Sequence, residues 1–434
     1  MPEPTPTMTR PLPLQRRFGP FFLTQALGAF NDNLFKNVLI LLVTFHTAQF
    51  TTLDPALVAN LAAGLFILPF VLFSAGAGRL ADHMDKAHLM RIVKTTEIGI
   101  VGLAGFGLYD SNLTVLLGAL FLMGTHSTFF GPVKYALLPQ VLTPRELLAG
   151  NAWLEAATFI VILLGTLAAA GLVALTRGPL SIGVALLGVA LLGWAASFAI
   201  PAAPAMACAA PRAQLRDFSP WAWWPLLQRA RHHDIVWTAM LGISWFWLVG
   251  SVLLAQLPIL VKTVVGGDMR NVSTLLAVFS LGIGLGSLLC VRFSRRCPTT
   301  LLLLIGGLGI SACLFDLWWA CHHLPAPIDQ VGTLAWTWLQ QPIFQRMLLD
   351  LGCLGIAGGL FAVPLYTQLQ RCAPPAETAR MVAANNVLNA LFMVFGAGVA
   401  AGSLAAGATV VSLMLALSGA NVLVILLLGV RLHR

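Results

Sequence analysis

The chain has 434 residues, of which 58% are apolar and only 9% are charged. Soluble globular domains carry about 25% charged residues, so this composition excludes a soluble protein and indicates one that crosses a membrane many times. A net charge of +9 also suits nucleic acid binding, but the positions of the basic residues along the chain fit membrane sidedness instead, and no nucleic acid partner is expected.

Apolar segments of transmembrane length recur along the whole chain. They predict an all-α polytopic membrane protein with twelve spans, at roughly 20–45, 56–78, 88–108, 113–135, 149–175, 181–201, 235–262, 272–292, 299–320, 347–369, 379–402 and 408–430. Twenty of the 25 Lys and Arg residues fall in the two tails, in alternate loops or at their edges. Because basic residues collect on the cytoplasmic side, both termini are predicted to be cytoplasmic.

The first span carries a polar block in its middle, Asn31–Asn37. Each charge at mid-membrane depth costs roughly 2.5–3.5 kcal/mol on insertion scales, so the block must face a cavity inside the protein. Asp32 and Lys36 have the i, i+4 spacing that favours an intrahelical ion pair, while Asn33 and Asn37 share another face. We predict that these four residues bind substrate or a coupling ion. The alternative is an ion pair that only lowers the insertion cost.

The loop between spans two and three, Gly78–Lys86, resembles the loop signature of the major facilitator superfamily, with Gly78 and Asp82 in place and His83 where Arg is usual. Asp82 is expected to cap a helix and to pair with cations across the interface between two halves of the molecule. Together with Gly78 and Lys86 it would act as a conformational gate.

Lys94 and Glu97 follow at i, i+3, at the predicted cytoplasmic start of span three. We assign them to the same gate; the alternative is an interfacial salt bridge worth about 0–1 kcal/mol.

Further polar side chains occur near the ends of later spans. Lys134 and Tyr135 follow a Gly-Pro step that loosens the end of span four, and Thr143–Glu146 has the pattern of a capping box that opens span five. Glu155 lies about two turns into span five, where a carboxylate needs a partner or a proton. The remaining predicted substrate-binding or ion-coupling residues are Asn151 in span five and Asn385, Asn386 and Asn389 in span eleven.

The sequence divides into two similar halves, 1–201 and 235–434, joined by a linker at 202–234. Segments 131–153 and 362–387 share a Pro followed by a Tyr, a Pro-marked turn, an acid, and an Asn in the next span. A six-plus-six duplication predicts a binding site between the halves, near the midplane. In the linker, a Trp- and Leu-rich stretch indicates an amphipathic segment at the membrane headgroups, formed by Trp221, Trp223, Trp224, Leu226 and Leu227.

Signatures of catalysis are missing from the sequence, including an acyltransferase H-x4-D box and a phosphate-binding G-x4-G-K-[ST] loop. The seven cysteines form no C-x-x-C pair and have no histidine at ligand spacing, so neither a disulfide framework nor a metal site is expected. An enzyme is therefore not expected.

Five segments together resemble the bacterial lysophospholipid transporters of the major facilitator superfamily. They are GAFNDNLFKN (28–37), GRLADHMDK (78–86), FFGPVKYALLPQ (129–140), NAWLEAATF (151–159) and GGLFAVPLYTQLQ (358–370). The resemblance implies inward transport of lysophospholipid, chiefly lysophosphatidylethanolamine, across the bacterial inner membrane by alternating access. It also implies a separate acyltransferase or ligase that reacylates the product, and membrane lipids as neighbours. No cofactor is expected, apart from a coupling ion, either Na⁺ or H⁺.

Elementary chemistry is compatible with such a substrate. A zwitterionic headgroup that leaves water needs a carboxylate for its amine and a cation for its phosphate. The acyl chain needs an apolar wall, which we expect from Phe129, Phe130, Trp245, Phe246 and Trp247, with an exit past the small residues Gly282, Gly284 and Gly286. Two alternatives stay open, a proton-coupled multidrug exporter and a small-metabolite importer with a wholly polar cavity.

Overall fold

The computed structural model describes residues 11–175, 178–206, 214–324 and 339–432. Within these ranges twelve helices are long and apolar enough to cross a membrane, which confirms the predicted all-α fold with twelve spans. The spanning helices are α1 (Gly19–Phe45), α2 (Pro55–His83), α3 (Lys86–Tyr109), α4 (Leu113–Val141), α5 (Leu147–Leu175), α6 (Pro179–Ser197), α7 (Asp234–Leu260), α8 (Met269–Phe293), α9 (Thr299–His322), α10 (Pro342–Cys372), α11 (Thr378–Ala405) and α12 (Val410–Leu432).

Side-chain caps fix several helix starts. Asp85 accepts a hydrogen bond from the N–H of His88 at the start of α3, and Asp268 forms a capping box at the start of α8. Half of the capping box predicted before α5 is present: the Glu146 carboxylate accepts the N–H of Thr143 at 3.0 Å, but the Thr143 hydroxyl donates to that carboxylate at 2.8 Å and the N–H of Glu146 bonds to the Thr143 carbonyl. The helix after it begins at Leu147, two residues before the predicted start of the span.

The helices pack as two groups of six, here called the first half (α1–α6) and the second half (α7–α12). In the first half α1 packs against α5 and α6, and α2 against α4; in the second half α8 and α9 pack against α10, and α7 against α11. The halves meet where α5 contacts α8 and α10, and where α11 contacts α2 and α4. The bounds 1–201, 202–234 and 235–434 for two halves and a linker stay a prediction.

The segment between α6 and α7 packs on the bundle. A short helix, Trp223–Arg231, buries Leu226 and Leu227, whereas Trp221 and Trp224 are 74% and 53% exposed. The expectation that these leucines face the membrane headgroups is therefore wrong: they contact protein, and only the two tryptophans are exposed. Just before this helix, Asp217 accepts a hydrogen bond of 2.6 Å from Arg79 of α2.

Candidate functional site: a charged cavity between the halves

A cavity of about 390 Å³ lies between the two groups of helices. Helices α1, α2, α3, α4 and α5 of the first half line it, with α7, α10 and α11 of the second. Its lining includes eight of the eleven predicted substrate-binding or ion-coupling residues: Asp32, Asn33, Lys36, Lys134, Tyr135, Glu155, Asn386 and Asn389. The predicted polar blocks of spans one, four, five and eleven thus meet at one place.

Asp32 is held by a neighbouring helix. The Ser127 hydroxyl of α4 donates a hydrogen bond of 2.5 Å to Asp32 Oδ2. The other carboxylate oxygen, Oδ1, is buried without a hydrogen-bond partner among the described residues. A buried carboxylate oxygen without a donor is costly, so Asp32 is prepared to receive one from a ligand.

Lys36 does not form the predicted ion pair with Asp32. Its ammonium instead lies over the ring of Phe66 in α2, 5.7 Å from the ring centroid. The i, i+4 spacing permits the pair, but the Asp32 carboxylate turns to Ser127 and the lysine turns to the aromatic face. Of the two asparagines on α1, Asn33 lines the cavity, whereas Asn37 donates to Thr166 of α5 at 3.1 Å and lies outside it.

A chain of contacts joins the halves at one end of the cavity. The Tyr135 hydroxyl donates to Glu155 Oε1 at 2.7 Å, and the rings of Tyr135 and Tyr366 stack with centroids 4.8 Å apart. Trp247 Nε1 donates to the Tyr366 hydroxyl at 3.0 Å. The Lys134 ammonium lies 4.7 Å from the ring centroid of Tyr135, with no carboxylate in ion-pair contact among the described residues.

Like Asn37, two further predicted asparagines lie away from the cavity lining. Asn151 exchanges two hydrogen bonds of 2.9 Å with Gln370, which ties α5 to α10 across the halves. Asn385 is fully buried. In contrast, Asn386 lines the cavity with its amide nitrogen unpartnered, and Asn389 accepts a hydrogen bond of 2.7 Å from Ser244 of α7.

Lys94 and Glu97 are fully buried, so their predicted interfacial position is wrong. The Lys94 ammonium pairs directly with the Glu97 carboxylate, which also accepts a hydrogen bond of 2.9 Å from Asn31. His126 Nε2 lies 3.3 Å from the same carboxylate. Eight and eleven residues into α3, the pair is about 12–17 Å from the helix start, well inside the bundle. Its assignment to the gate stays a prediction.

The predicted gate residues Gly78, Asp82 and Lys86 lie at the end of the bundle where α2 ends and α3 begins. We call this the basic end; the charge pattern predicts it to be cytoplasmic. The Asp82 carboxylate accepts the N–H of Ala379 at 2.9 Å and the Arg380 side chain at 2.9 Å, so it caps the start of α11. A Cβ atom on Gly78 would lie 2.6 Å from that of Ala383. Lys86 is buried, and its ammonium has no hydrogen-bond partner among the described residues.

At the basic end, hydrogen bonds join the two halves. At this end, hydrogen bonds across the halves run from Asp82 to α11, between Asn151 and α10, and from Arg371 to Pro144 O. These residues belong to the last turns of α2 and α10 and the first turns of α5 and α11, or directly flank them. The structure is therefore closed at its basic end.

Several lining residues have no strong signal in the sequence. Gln25 donates to Thr158 at 2.8 Å, and both line the cavity with Ser127 and Tyr366. Hydroxyl groups are frequent in apolar helices, so the sequence does not distinguish Ser127 and Thr158 from other serines and threonines. Tyr366 could have been predicted from the sequence, since it is the counterpart of Tyr135 in the internal repeat.

The apolar part of the cavity differs from the expected wall. Phe130 and Trp247 line it as predicted, whereas Phe129, Trp245 and Phe246 are not in the lining, which also has aromatic rings from α2. The expected exit is wrong: a Cβ on Gly286 would lie 2.1 Å from the carbonyl oxygen of Ile356. Gly282 and Gly286 pack against the α10 backbone, and Gly284 faces Ile160, so no passage runs there.

Twelve spanning helices in two groups, closed at one end around a central polar cavity, define a transporter of the alternating-access class. The family model of the Major Facilitator Superfamily matches residues 21–397, and the chain belongs to that family. It is thus a multi-pass membrane transporter rather than an enzyme.

Among characterised relatives are lysophospholipid transporters named LplT. That of Cronobacter sakazakii (strain ATCC BAA-894) is 26% identical over 358 residues, covering 80% of this chain and 78% of the relative. Those of Enterobacter sp. (strain 638) and Escherichia coli O157:H7 (strain EC4115 / EHEC) are each 24% identical with the same coverage. The resemblance inferred from the five sequence segments is confirmed.

Two solved structures share the fold. The human organic anion transporter MFSD10 (TETRAN) has a TM-score of 0.75 at 14% identity, covering 95% of this chain and 99% of that one. The proton:xylose symporter XylE, bound to 6-bromo-6-deoxy-D-glucose, has a TM-score of 0.69 at 13% identity and covers 94% of each chain. At these identities the likeness concerns the fold alone.

Proposed function

We propose that this transporter moves lysophospholipid, chiefly lysophosphatidylethanolamine, inward across the bacterial cytoplasmic membrane by alternating access. A separate acyltransferase or ligase would then restore the second acyl chain. The observation that carries the proposal is a single cavity that combines unpaired acidic and basic side chains with an aromatic wall. The lysophospholipid transporters among the relatives support the choice of substrate.

The charges of the headgroup match those of the cavity lining. A phosphoethanolamine group carries an anionic phosphate and a cationic amine, and both lose water on entering the membrane. Asp32 Oδ1 is an unpartnered acceptor suited to the amine. Lys36 and Lys134 lie over aromatic rings rather than on carboxylates, and their ammonium protons suit the phosphate. The unpartnered Asn386 amide adds a neutral donor.

The volume of the cavity limits how much of the lipid it can hold. A cavity of about 390 Å³ lies in the lower part of the range of about 300–1,000 Å³ for small-molecule pockets. We therefore assign the headgroup to the cavity and the chain to its apolar side, where Phe66, Ile67 and Phe70 of α2 face Ala390 and Met393 of α11. Asp32 or Glu155 would carry the coupling ion, Na⁺ or H⁺.

Binding to the purified full-length protein tests the proposal. Lysophosphatidylethanolamine should bind more tightly than glycerophosphoethanolamine, which has the same headgroup and no acyl chain. Equal affinity would favour a small-metabolite importer. Uptake of labelled lysophosphatidylethanolamine into spheroplasts provides the second readout, and drug resistance without such uptake would favour a multidrug exporter.

A further inference from the structure

Five charged side chains of the first half line the cavity. Lys94 is paired with Glu97, and the other four lie at different depths. Helix α1 runs away from the basic end and α4 runs towards it, and the 2.5 Å hydrogen bond between Ser127 and Asp32 fixes their register. Lys36 is one turn, about 6 Å, beyond Asp32 in the direction away from the basic end. Lys134 is seven residues, about 10 Å, past Ser127 in the direction of the basic end.

Glu155 completes the series. Gln25, seven residues before Asp32 on α1, donates to Thr158 of α5, and Glu155 lies three residues nearer the basic end than Thr158. Glu155 is therefore about 15 Å from the depth of Asp32, nearer the basic end than Lys134 at about 10 Å. Lys134 is also within electrostatic range of both Glu155 and Asp32. From the opposite end of the cavity to the basic end, the order is therefore cation, anion, cation, anion: Lys36, Asp32, Lys134, Glu155. We call this series the charge ladder.

The two cations of the charge ladder are available for a ligand. Each lies over a ring, 5.7 Å from the centroid of Phe66 and 4.7 Å from that of Tyr135, and neither forms an ion pair with a described carboxylate. An aromatic face offers a lysine ammonium electrostatic attraction but leaves its N–H donors unsatisfied. In a membrane interior an anionic ligand gives such an ammonium the counter-charge that it lacks.

We propose that the charge ladder binds one zwitterionic lysolipid headgroup in two alternative registers. In the outer register the phosphate contacts Lys36 and the amine contacts Asp32. In the inner register the phosphate contacts Lys134 and the amine contacts Glu155. This inference rests on the proposed function and deepens it, because it divides the headgroup site into two stations along the transport path.

Two registers reduce the energetic cost of moving the charged headgroup through the membrane interior. A headgroup that left one site for a distant second site would cross the membrane interior with both charges unpaired, which is expensive. On the charge ladder, Asp32 and Lys134 are adjacent members of the series. The amine can therefore stay at Asp32 while the phosphate passes from Lys36 to Lys134, and the phosphate then stays at Lys134 while the amine passes to Glu155. At each step one charge of the headgroup remains beside an opposite charge.

A double-mutant cycle on the purified full-length protein tests this. The variants are Lys36→Gln, Lys134→Gln and the pair together, with Lys262→Gln, an exposed lysine outside the cavity, as matched control. With two alternative registers, each single variant should weaken lysophosphatidylethanolamine binding by no more than about threefold, and the double variant by more than about tenfold. Uptake should fall strongly in both single variants, because transport uses both registers.

The inference is overturned if either single variant binds lysophosphatidylethanolamine as weakly as the double variant does. That result would mean that the two lysines hold one phosphate together. The charge-retaining variants Lys36→Arg and Lys134→Arg should bind like the parent, and loss of binding in them would also contradict the charge ladder. If the parent itself fails to bind lysophosphatidylethanolamine, the proposed function fails first, so the two failures are distinguishable.

Discussion

Two buried carboxylates of the first half, Asp32 and Glu97, have opposite surroundings. Glu97 contacts Lys94, Asn31 and His126, so both of its oxygens are occupied within the protein. Asp32 has a single hydrogen bond, from Ser127, and one unpartnered oxygen at the cavity. Glu97 therefore stabilises the helix bundle, whereas we propose that Asp32 receives a ligand.

Asp32→Asn tests the ligand-binding role. The amide keeps the size of the side chain and can still accept from Ser127, but it removes the negative charge that the amine of the substrate needs. We expect expression and the midpoint of thermal unfolding to stay near those of the parent, while uptake of labelled lysophosphatidylethanolamine is abolished. Uptake near the parent level would show that Asp32 is not required.

Glu97→Gln tests the stabilising role. The substitution leaves the fully buried Lys94 ammonium without its counter-charge, and breaking one side of a buried ion pair costs about 3–5 kcal/mol. The midpoint of thermal unfolding in detergent should therefore fall clearly below that of Asp32→Asn, which serves as the matched control. Equal midpoints for the two variants would contradict the structural role of Glu97.

At the scale of helices and loops, each half fixes the segment before its first helix with an arginine–acid pair. Arg17, just before α1, pairs with Glu146 in the loop before α5. Arg229, just before α7, pairs with Glu377 in the loop before α11. The two acids occupy equivalent places in the internal repeat, so the duplication predicted from sequence extends to these contacts.

Glu146 gives a pH prediction. Hydrogen bonding to Arg17 is the main cause that lowers the pKa of Glu146, from 4.5 to about 2, with further hydrogen bonds from Thr143. A lowered pKa means that this carboxylate stabilises the fold above pH 4.5 and that the contribution is lost as the pH falls from there towards 2. The difference in unfolding midpoint between the parent and Glu146→Gln should be constant from about pH 8 to 6 and shrink below about pH 4. A difference that grows on acidification would contradict this assignment.

Asp82→Ala tests the contact between α2 and α11. The substitution removes the cap of α11, typically about 1 kcal/mol, and the ion pair with Arg380. Alternating access requires the basic end to open, which would break these contacts between α2 and α11, so we expect slower turnover with substrate affinity within a few-fold of the parent. Initial uptake rates and equilibrium binding separate the two quantities; a large loss of affinity with intact turnover would refute the gating role.

The number of spans could be predicted because membrane thickness sets a minimum length for each apolar run. Their ends could not: α2 continues to His83 and α4 to Val141, five and six residues beyond the predicted ends at 78 and 135. The last turns of α2 contain Arg79 and Asp82, which pair with Asp217 and Arg380 elsewhere in the protein. Hydropathy along one segment does not distinguish such a protein-facing extension from a loop.

Much of the cavity could be predicted, since a charge such as Asp32 in an apolar run is a strong signal. The depth of Lys94 and Glu97 could not, because an i, i+3 pair near a helix start has the same pattern at a surface as in a core. The contact partner of Lys36 could not be predicted from the sequence either. Lys36 contacts Phe66 and not Asp32 because of how α2 packs beside α1, which is a matter of tertiary structure.

At the scale of the whole molecule, close helix packing holds the basic end shut as much as the polar contacts do. Gly78 of α2 approaches α11 so closely that no Cβ atom fits between them. The Asp82 cap and the arginine of α11 lie beside this contact. Separating α2 from α11 at this point should therefore loosen the whole closed end.

Gly78→Ala provides that separation. The added Cβ would lie 2.6 Å from Ala383 Cβ and 3.0 Å from Ala379 O, and overpacking of this kind costs about 1–3 kcal/mol. We expect faster hydrogen–deuterium exchange at the amides of Ala379 and Arg380, which Asp82 caps. Gly99→Ala, where an added Cβ meets nothing within 4 Å, is the matched control. Unchanged exchange in Gly78→Ala would mean that α2 and α11 do not govern the closure.

All the charged residues of the cavity lining belong to the first half, Asp32, Lys36, Lys94, Lys134 and Glu155, while the second half contributes only neutral side chains to that lining. The two halves can therefore diverge under separate selection. Under the proposed function, a headgroup of different charge requires changes in the first half, whereas substitutions of Ala390 and Met393 in the second half alter the shape of the apolar side. Chimeras that exchange one half between related transporters would inherit these two preferences independently.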